Sequence, residues 1–198
     1  MKKIIFPIIL LLIVSYLFAE YDVNSLFDTL KQKYSNINTV SATIYNKADK
    51  VKAKMIAEKG NKYYIRTSDI TLVSNGKTIW NYSKRNNKVV ISSVDSYDVK
   101  QSLDYIFFSF MTDFDPVSLN KKGKAYLMEL VFNKKINTTI DKLFLKVNKK
   151  NLNIETIQIQ SGYTVQTWEI KNLELNPKIN ANTFKFKIPN YAEVIDLR

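Results

Sequence analysis

The chain has 198 residues and a formal charge of +12, from 30 Lys and Arg against 18 Asp and Glu, with 13% aromatic residues and neither cysteine nor histidine. The length suits one domain, able to bury a core or enclose a cavity. The absence of cysteine excludes disulfides, thiolate metal sites and a lipid-modified N-terminal cysteine, and the absence of histidine removes the commonest general base and zinc ligand.

Met1-Lys2-Lys3, then an uncharged apolar run over residues 4–19 ending in Leu17-Phe18-Ala19, predicts a cleaved secretory signal peptide at 1–19 and a single domain over 20–198. The run is shorter than the ~20 residues of a spanning helix. An uncleaved anchor is the alternative. Asp22 or Asn24 can cap a helix whose Val23, Leu26, Phe27, Leu30 and Tyr34 form one apolar stripe. From Thr39 the period changes to two. Val40, Ala42 and Ile44 alternate with Ser41, Thr43 and Tyr45, and Val51, Ala53, Met55 and Ala57 alternate with Lys52, Lys54 and Ile56, which predicts two half-buried strands.

After a turn at Lys59-Gly60-Asn61-Lys62, a strand over 63–66 leads into a three-strand meander. Leu72-Val73-Ser74-Asn75-Gly76-Lys77-Thr78-Ile79-Trp80-Asn81-Tyr82 turns through Lys84-Arg85-Asn86-Asn87 into Lys88-Val89-Val90-Ile91-Ser92, with a type I′ hairpin expected at Asn75-Gly76. Trp80 and Tyr82 share a face. The register of the preceding strand leaves them with Tyr63 and Ile65 or with Tyr64 and Arg66. A dense apolar stretch in residues 94–111 (Leu103, Tyr105, Ile106, Phe107, Phe108, Phe110, Met111) predicts a helix too apolar for one stripe. Residues 112–120, with Pro116, read as a loop with room for a short helix. Strands are expected at 125–132, 142–147, 152–160 and 163–173.

Chemistry is scarce. Asp113 and Asp115 are a carboxylate pair only in name and read as loop and cap residues. Ser-x-x-Lys at Ser74–Lys77 and Ser118–Lys121 lacks the companion motifs of a Ser-Lys nucleophile. Four glycines make no phosphate loop. Basic residues beside aromatics, as in Tyr63-Tyr64-Ile65-Arg66, do not argue for nucleic acid in an exported chain. The alternation fits a filled core and a lined cavity equally.

The run Leu72 to Tyr82 resembles the hydrophobic-Val-Ser-Asp-Gly-Lys-x-hydrophobic-Trp-x-Tyr segment of LolA-like periplasmic outer-membrane lipoprotein carrier proteins. Near the C-terminus, Asn182-Thr183-Phe184-Lys185-Phe186-Lys187-Ile188-Pro189-Asn190-Tyr191-Ala192-Glu193-Val194-Ile195-Asp196 resembles that family's closing Phe-x-Phe-x-x-Pro, turn and Val-Ile-Asp strand. The resemblance implies a mainly β fold with some α: an unclosed antiparallel β-barrel, a highly curved sheet, with helices covering the mouth as a lid. It implies a lipid-binding cavity lined by Val40, Ala42, Ile44, Met55, Tyr63, Ile65, Leu72, Trp80, Tyr82 and Val90, and a lid carrying Leu26, Phe27, Leu30, Leu103, Ile106, Phe107 and Phe110. The implied function is that of a periplasmic chaperone, not an enzyme and without cofactor or metal. It would take acylated lipoproteins from an inner-membrane release complex to an outer-membrane acceptor, as a monomer in transient contact with membranes.

Where the family has Arg-Pro before the third strand, with the arginine thought to hold the lid, this chain has Gly60-Asn61, leaving Lys59 or Arg66 as replacements. Two further readings are an envelope sensor or scaffold on the same fold, and a filled β-domain that binds anionic envelope polymers through its basic surface.

Overall fold

A computed structural model of the chain describes residues 21–96, 108, 112–133 and 140–198. The first element is α1 (Val23–Ser35). Asp22 caps it through a carboxylate that accepts the Asn24 and Ser25 amides at 2.8 and 2.9 Å, while Ser25 returns the contact to the Asp22 amide. Its stripe Leu26, Phe27, Leu30 and Tyr34 is buried.

Among the described residues twelve strands follow: β1 (Thr39–Asn46), β2 (Val51–Glu58), β3 (Lys62–Arg66), β4 (Ile70–Asn75), β5 (Thr78–Ser83), β6 (Lys88–Ser93), β7 (Phe114–Lys122), β8 (Ala125–Phe132), β9 (Lys142–Asn148), β10 (Ile154–Ser161), β11 (Thr164–Leu175) and β12 (Glu193–Asp196). They form one curved, unclosed sheet in the order β12-β6-β5-β4-β3-β2-β1-β11-β10-β9-β8-β7. All neighbours are antiparallel except β12, which runs parallel to β6 with Val194 opposite Val89.

Two expectations change. Residues 114–122 form edge strand β7 and not a loop, because an edge tolerates Pro116, which lies beside a register shift between Pro116 and Ser118. The β4–β5 turn is not type I′, which needs two positive φ angles. Only Gly76 has one (+92°), while Asn75 ends β4 and its side chain accepts the Lys77 and Thr78 amides, both at 2.9 Å. Of the helix expected over 94–111, a 3-10 turn at Val94–Ser96 is described. Phe108 packs against the core, and Leu103, Ile106, Phe107 and Phe110 lie outside the described residues.

The face of the sheet that meets α1 is the inner face. There the α1 stripe packs with Val40, Ala42, Ile44 and Met55 and with the apolar rows of β8 to β10, including Met128, Leu143, Leu145 and Ile157, in one buried cluster. A second cluster, Ala57, Tyr63, Ile79 and Val94, continues it toward β5 and is touched by Ile65, Leu72 and Phe108. On β4 to β6 the burial crosses the sheet. Val73, Val89 and Ile91 point to the outer face and are 1%, 0% and 5% exposed. Their cover is the segment between β11 and β12, whose Phe184 is buried and whose Phe186 stacks on Trp80.

Candidate functional site

Strand register follows from which residues must be buried, and it sorts the expected cavity residues into two sets. Met55 pairs with Ile65, Ile65 with Leu72, Leu72 with Asn81, Asn81 with Val90 and Val90 with Ile195. Ala42 joins this inner row opposite Met55. Val40, Ile44 and Tyr63 stand on the same face one pair further along their strands.

Trp80 and Tyr82 do not belong to this set. Trp80 pairs with Val73, and Val73 with Tyr64, while Tyr82 pairs with Thr71, and Thr71 with Arg66, all on the outer face. The parity of the β3–β4 pairing decides this. A cavity on the inner face therefore does not include Trp80 or Tyr82. Both rings pack instead on Phe186, with centroids 6.3 and 6.1 Å away. Lost hydration there raises the Tyr82 phenol, and its hydrogen bond with Tyr191 adds to the shift.

Along the inner row, burial falls off in one direction. Ala42 and Met55 are sealed beneath α1, whereas Ile65, Leu72, Val90 and Ile195 are only half-buried and Asn81 is exposed. From β3 to β12 the row crosses four inter-strand gaps, about 19 Å at ~4.8 Å each. That is comparable to the ~15 Å thickness of one bilayer leaflet, the reach of an extended acyl chain. Asn81 and Ile195 were not among the expected residues. The two-residue period through Ile79-Trp80-Asn81 placed Asn81 opposite Trp80, but only the register of β4 identifies which side is inner.

The α1 helix is tied by polar contacts at its C-terminal end. Lys33 Nζ donates to the Asn151 carbonyl at 2.7 Å and to Asn153 Oδ1 at 2.6 Å. The Tyr34 hydroxyl accepts the Ile154 amide at 3.1 Å, at the register shift where β10 departs from regular pairing. Lys59 Nζ donates to the Ser35 carbonyl at 2.8 Å, a cation on the negative end of the helix. Of the two expected latch replacements, Lys59 therefore holds a helix. Arg66 points to the outer face, away from α1. Leu26, Phe27 and Leu30 are held through the shared apolar cluster.

The motif residues outside this face are structural. Ser74 is fully buried and donates to the Asn61 carbonyl at 2.6 Å, joining the β3 and β4 ends, so it is not a nucleophile poised beside Lys77. A Cβ on Gly76 would lie 2.6 Å from the Gly60 carbonyl oxygen. Ser118 donates to Glu129. Asp113 accepts from Thr112, and Asp115 accepts from Asn133. Among the described residues no cluster of acidic side chains could hold a metal ion. A depression of about 380 Å³ lies on the outer face of β7 to β10, with Leu127, Phe144, Ser118, Asn120 and Gln158 among its lining residues. It is separate from the inner row.

Residues 27–163 match the family described as outer membrane lipoprotein carrier protein LolA. An outer-membrane lipoprotein carrier protein of Francisella philomiragia subsp. philomiragia is 27% identical over 214 residues, covering 99% of this chain and 98% of the relative. An uncharacterized protein of Methanocaldococcus jannaschii is 24% identical over 94% of this chain, which spans 58% of that relative's length. In three dimensions, an uncharacterized conserved protein of Thermus thermophilus shares the fold with a TM-score of 0.57 at 14% identity, covering 87% of this chain and 98% of the other.

Proposed function

Because the chain belongs to the LolA family of outer membrane lipoprotein carrier proteins, we propose that it shields the acyl chains of lipoproteins on the inner face and carries them across the periplasm. The proposal includes a leader over residues 1–19 that is removed on export, a single carrier domain over 20–198, a monomeric protein, and handover between an inner-membrane release complex and an outer-membrane acceptor. No bond is made or broken in such a cycle.

The observation that carries this reading is the graded inner row. Beneath α1 the row is sealed, but Ile65, Leu72, Val90 and Ile195 are only half-buried, and the core of β4 to β6 is completed on the other side by the Phe184–Phe186 segment. That leaves a strip as long as an acyl chain, apolar except at Asn81 on β5. Covering a chain of ~14 carbons removes a cost on the order of 10 kcal/mol in water, so release must proceed by direct transfer. Here α1, through Leu26, Phe27 and Leu30, serves as a lid, and the other expected lid residues, Leu103, Ile106, Phe107 and Phe110, lie outside the described residues. The polar ties at Lys33, Tyr34 and Lys59 act as a pivot, and the apolar N-terminal half of α1 is the part that yields.

Displacement of a fluorescent fatty acid by a lipopeptide tests the reading. Leu72→Gln with Val90→Gln should weaken binding at least roughly tenfold, since two apolar contacts worth ~1 kcal/mol or more each are lost, with little change in melting. Leu145→Ala, in the sealed cluster, should cost roughly 2–5 kcal/mol of stability and leave binding per folded molecule unchanged. Unchanged binding in the double variant would contradict the assignment.

A further inference from the structure

The outer face presents a second feature, made of charge. Lys171 pairs with Thr43, Thr43 with Lys54, and Lys54 with Arg66, a lateral row over β11, β1, β2 and β3 about 14 Å long at ~4.8 Å per strand. In the next row Glu169 pairs with Tyr45, and Tyr45 with Lys52. Lys47 and Lys171 share the single carboxylate of Glu169, the latter at 3.7 Å, while Lys52, Lys54 and Arg66 are exposed and have no ion pair among the described residues.

Like charges placed directly opposite on neighbouring strands destabilise a sheet, yet Lys54 faces Arg66. Of the acids around the patch, Glu174 lies opposite Ser41, Asp69 pairs with Arg85 and Asp49 accepts from Asn46. On the same side of the molecule, Lys185 and Lys187 alternate with the inward Phe184 and Phe186 and are exposed. We propose that this face is a docking surface for an anionic phospholipid bilayer, with Lys52, Lys54 and Arg66 at its centre.

Three features favour a bilayer over another anionic partner. The cations are spread on a lattice of strands and do not converge into a pocket, which suits many mobile headgroups and no single phosphate. They are mostly lysines on flexible stems, and lysine and arginine near an anionic leaflet add attraction residue by residue. A half-buried tyrosine, Tyr45, sits among them, a residue type enriched at the level of the headgroups. The inference extends the carrier reading without using the inner face, so acyl-probe binding measured on the same variants separates failure of one from failure of the other.

The test is sedimentation of the full chain with vesicles of phosphatidylcholine alone or mixed with phosphatidylglycerol, at low and high salt. The apolar run over residues 4–19 is the same in every variant. The parent should prefer the anionic vesicles and lose that preference at high salt. Lys52→Gln, Lys54→Gln and Arg66→Gln together should lower the affinity about a hundredfold. The equal charge change Lys122→Gln, Lys124→Gln and Lys150→Gln, on other parts of the surface, should lower it less than about threefold. Removing the Lys54–Arg66 repulsion should leave melting unchanged or raised. Should the triple variant melt lower instead, the parent's anionic preference and its salt dependence decide alone. Equal binding to both vesicle types, equal losses in the two triple variants, or stronger binding to DNA or polyaspartate than to the vesicles would overturn the proposal.

Discussion

Trp80 and Phe186 stack with centroids 6.3 Å apart and planes inclined by 28°, joining the two motifs that carry the family resemblance, from the middle and the end of the chain. The contact lies on the outer face, where Phe186 also meets Tyr82, and it fastens the segment leading to β12 over Val73, Val89 and Ile91. Phe186→Ala should therefore destabilise the fold by about 2 kcal/mol, less than a fully buried phenylalanine because Phe186 is half-buried. In a Trp168→Phe background, Trp80 fluorescence should shift in the Phe186 variant and stay constant when a fatty acid binds. A fatty-acid-induced shift would place the ligand on the outer face.

Gly76 is constrained twice, by its φ of +92° and by the Gly60 carbonyl oxygen 2.6 Å from the site of a Cβ. Gly76→Ala should cost about 2 kcal/mol or more in denaturant unfolding. Gly123→Ala, also at positive φ but with open space around it, should cost less. Equal costs would mean that backbone strain alone, and not the abutting turns, sets the requirement for glycine.

Burial holds the Tyr34 phenol at about 12, partly offset by the Ile154 amide that it accepts. The folded state thus keeps a proton that the unfolded chain gives up near pH 10. This stabilisation is complete below pH ~10 and is lost as pH rises through ~12, a fall of roughly 2–3 kcal/mol. Tyr34→Phe should cost about 1–3 kcal/mol at neutral pH, because the Ile154 amide loses this acceptor. It should also flatten the alkaline loss of stability relative to the parent. Parallel pH profiles for the two proteins would contradict this.

Much of this architecture was legible in the residues. The α1 stripe, the alternation of Val40 to Ile44 and of Val51 to Ala57, and the strand over 125–132 were read from period alone, because one face of each must be buried. What the period cannot supply is parity between strands. A one-residue choice in β3 decides whether Trp80 lies with Tyr63 or with Tyr64, and it turned on the C-terminal segment, whose Phe184 and Phe186 give the outer face its own apolar cover. Edge strand β7 was hidden by Pro116, a residue compatible with a strand only when its missing N–H faces no neighbour. The charged row Lys171, Lys54 and Arg66 is dispersed in sequence and assembles only through strand pairing.

Photo-cross-linking of a lipopeptide bearing a photoreactive acyl chain, read by peptide mass spectrometry, locates the bound chain on the sheet. Adducts are expected on β3, β4 and β6 at Ile65, Leu72 and Val90, reduced by the Leu72→Gln and Val90→Gln double variant. Adducts concentrated at Leu127 and Phe144 on the outer face, or an unchanged pattern in the double variant, would contradict it.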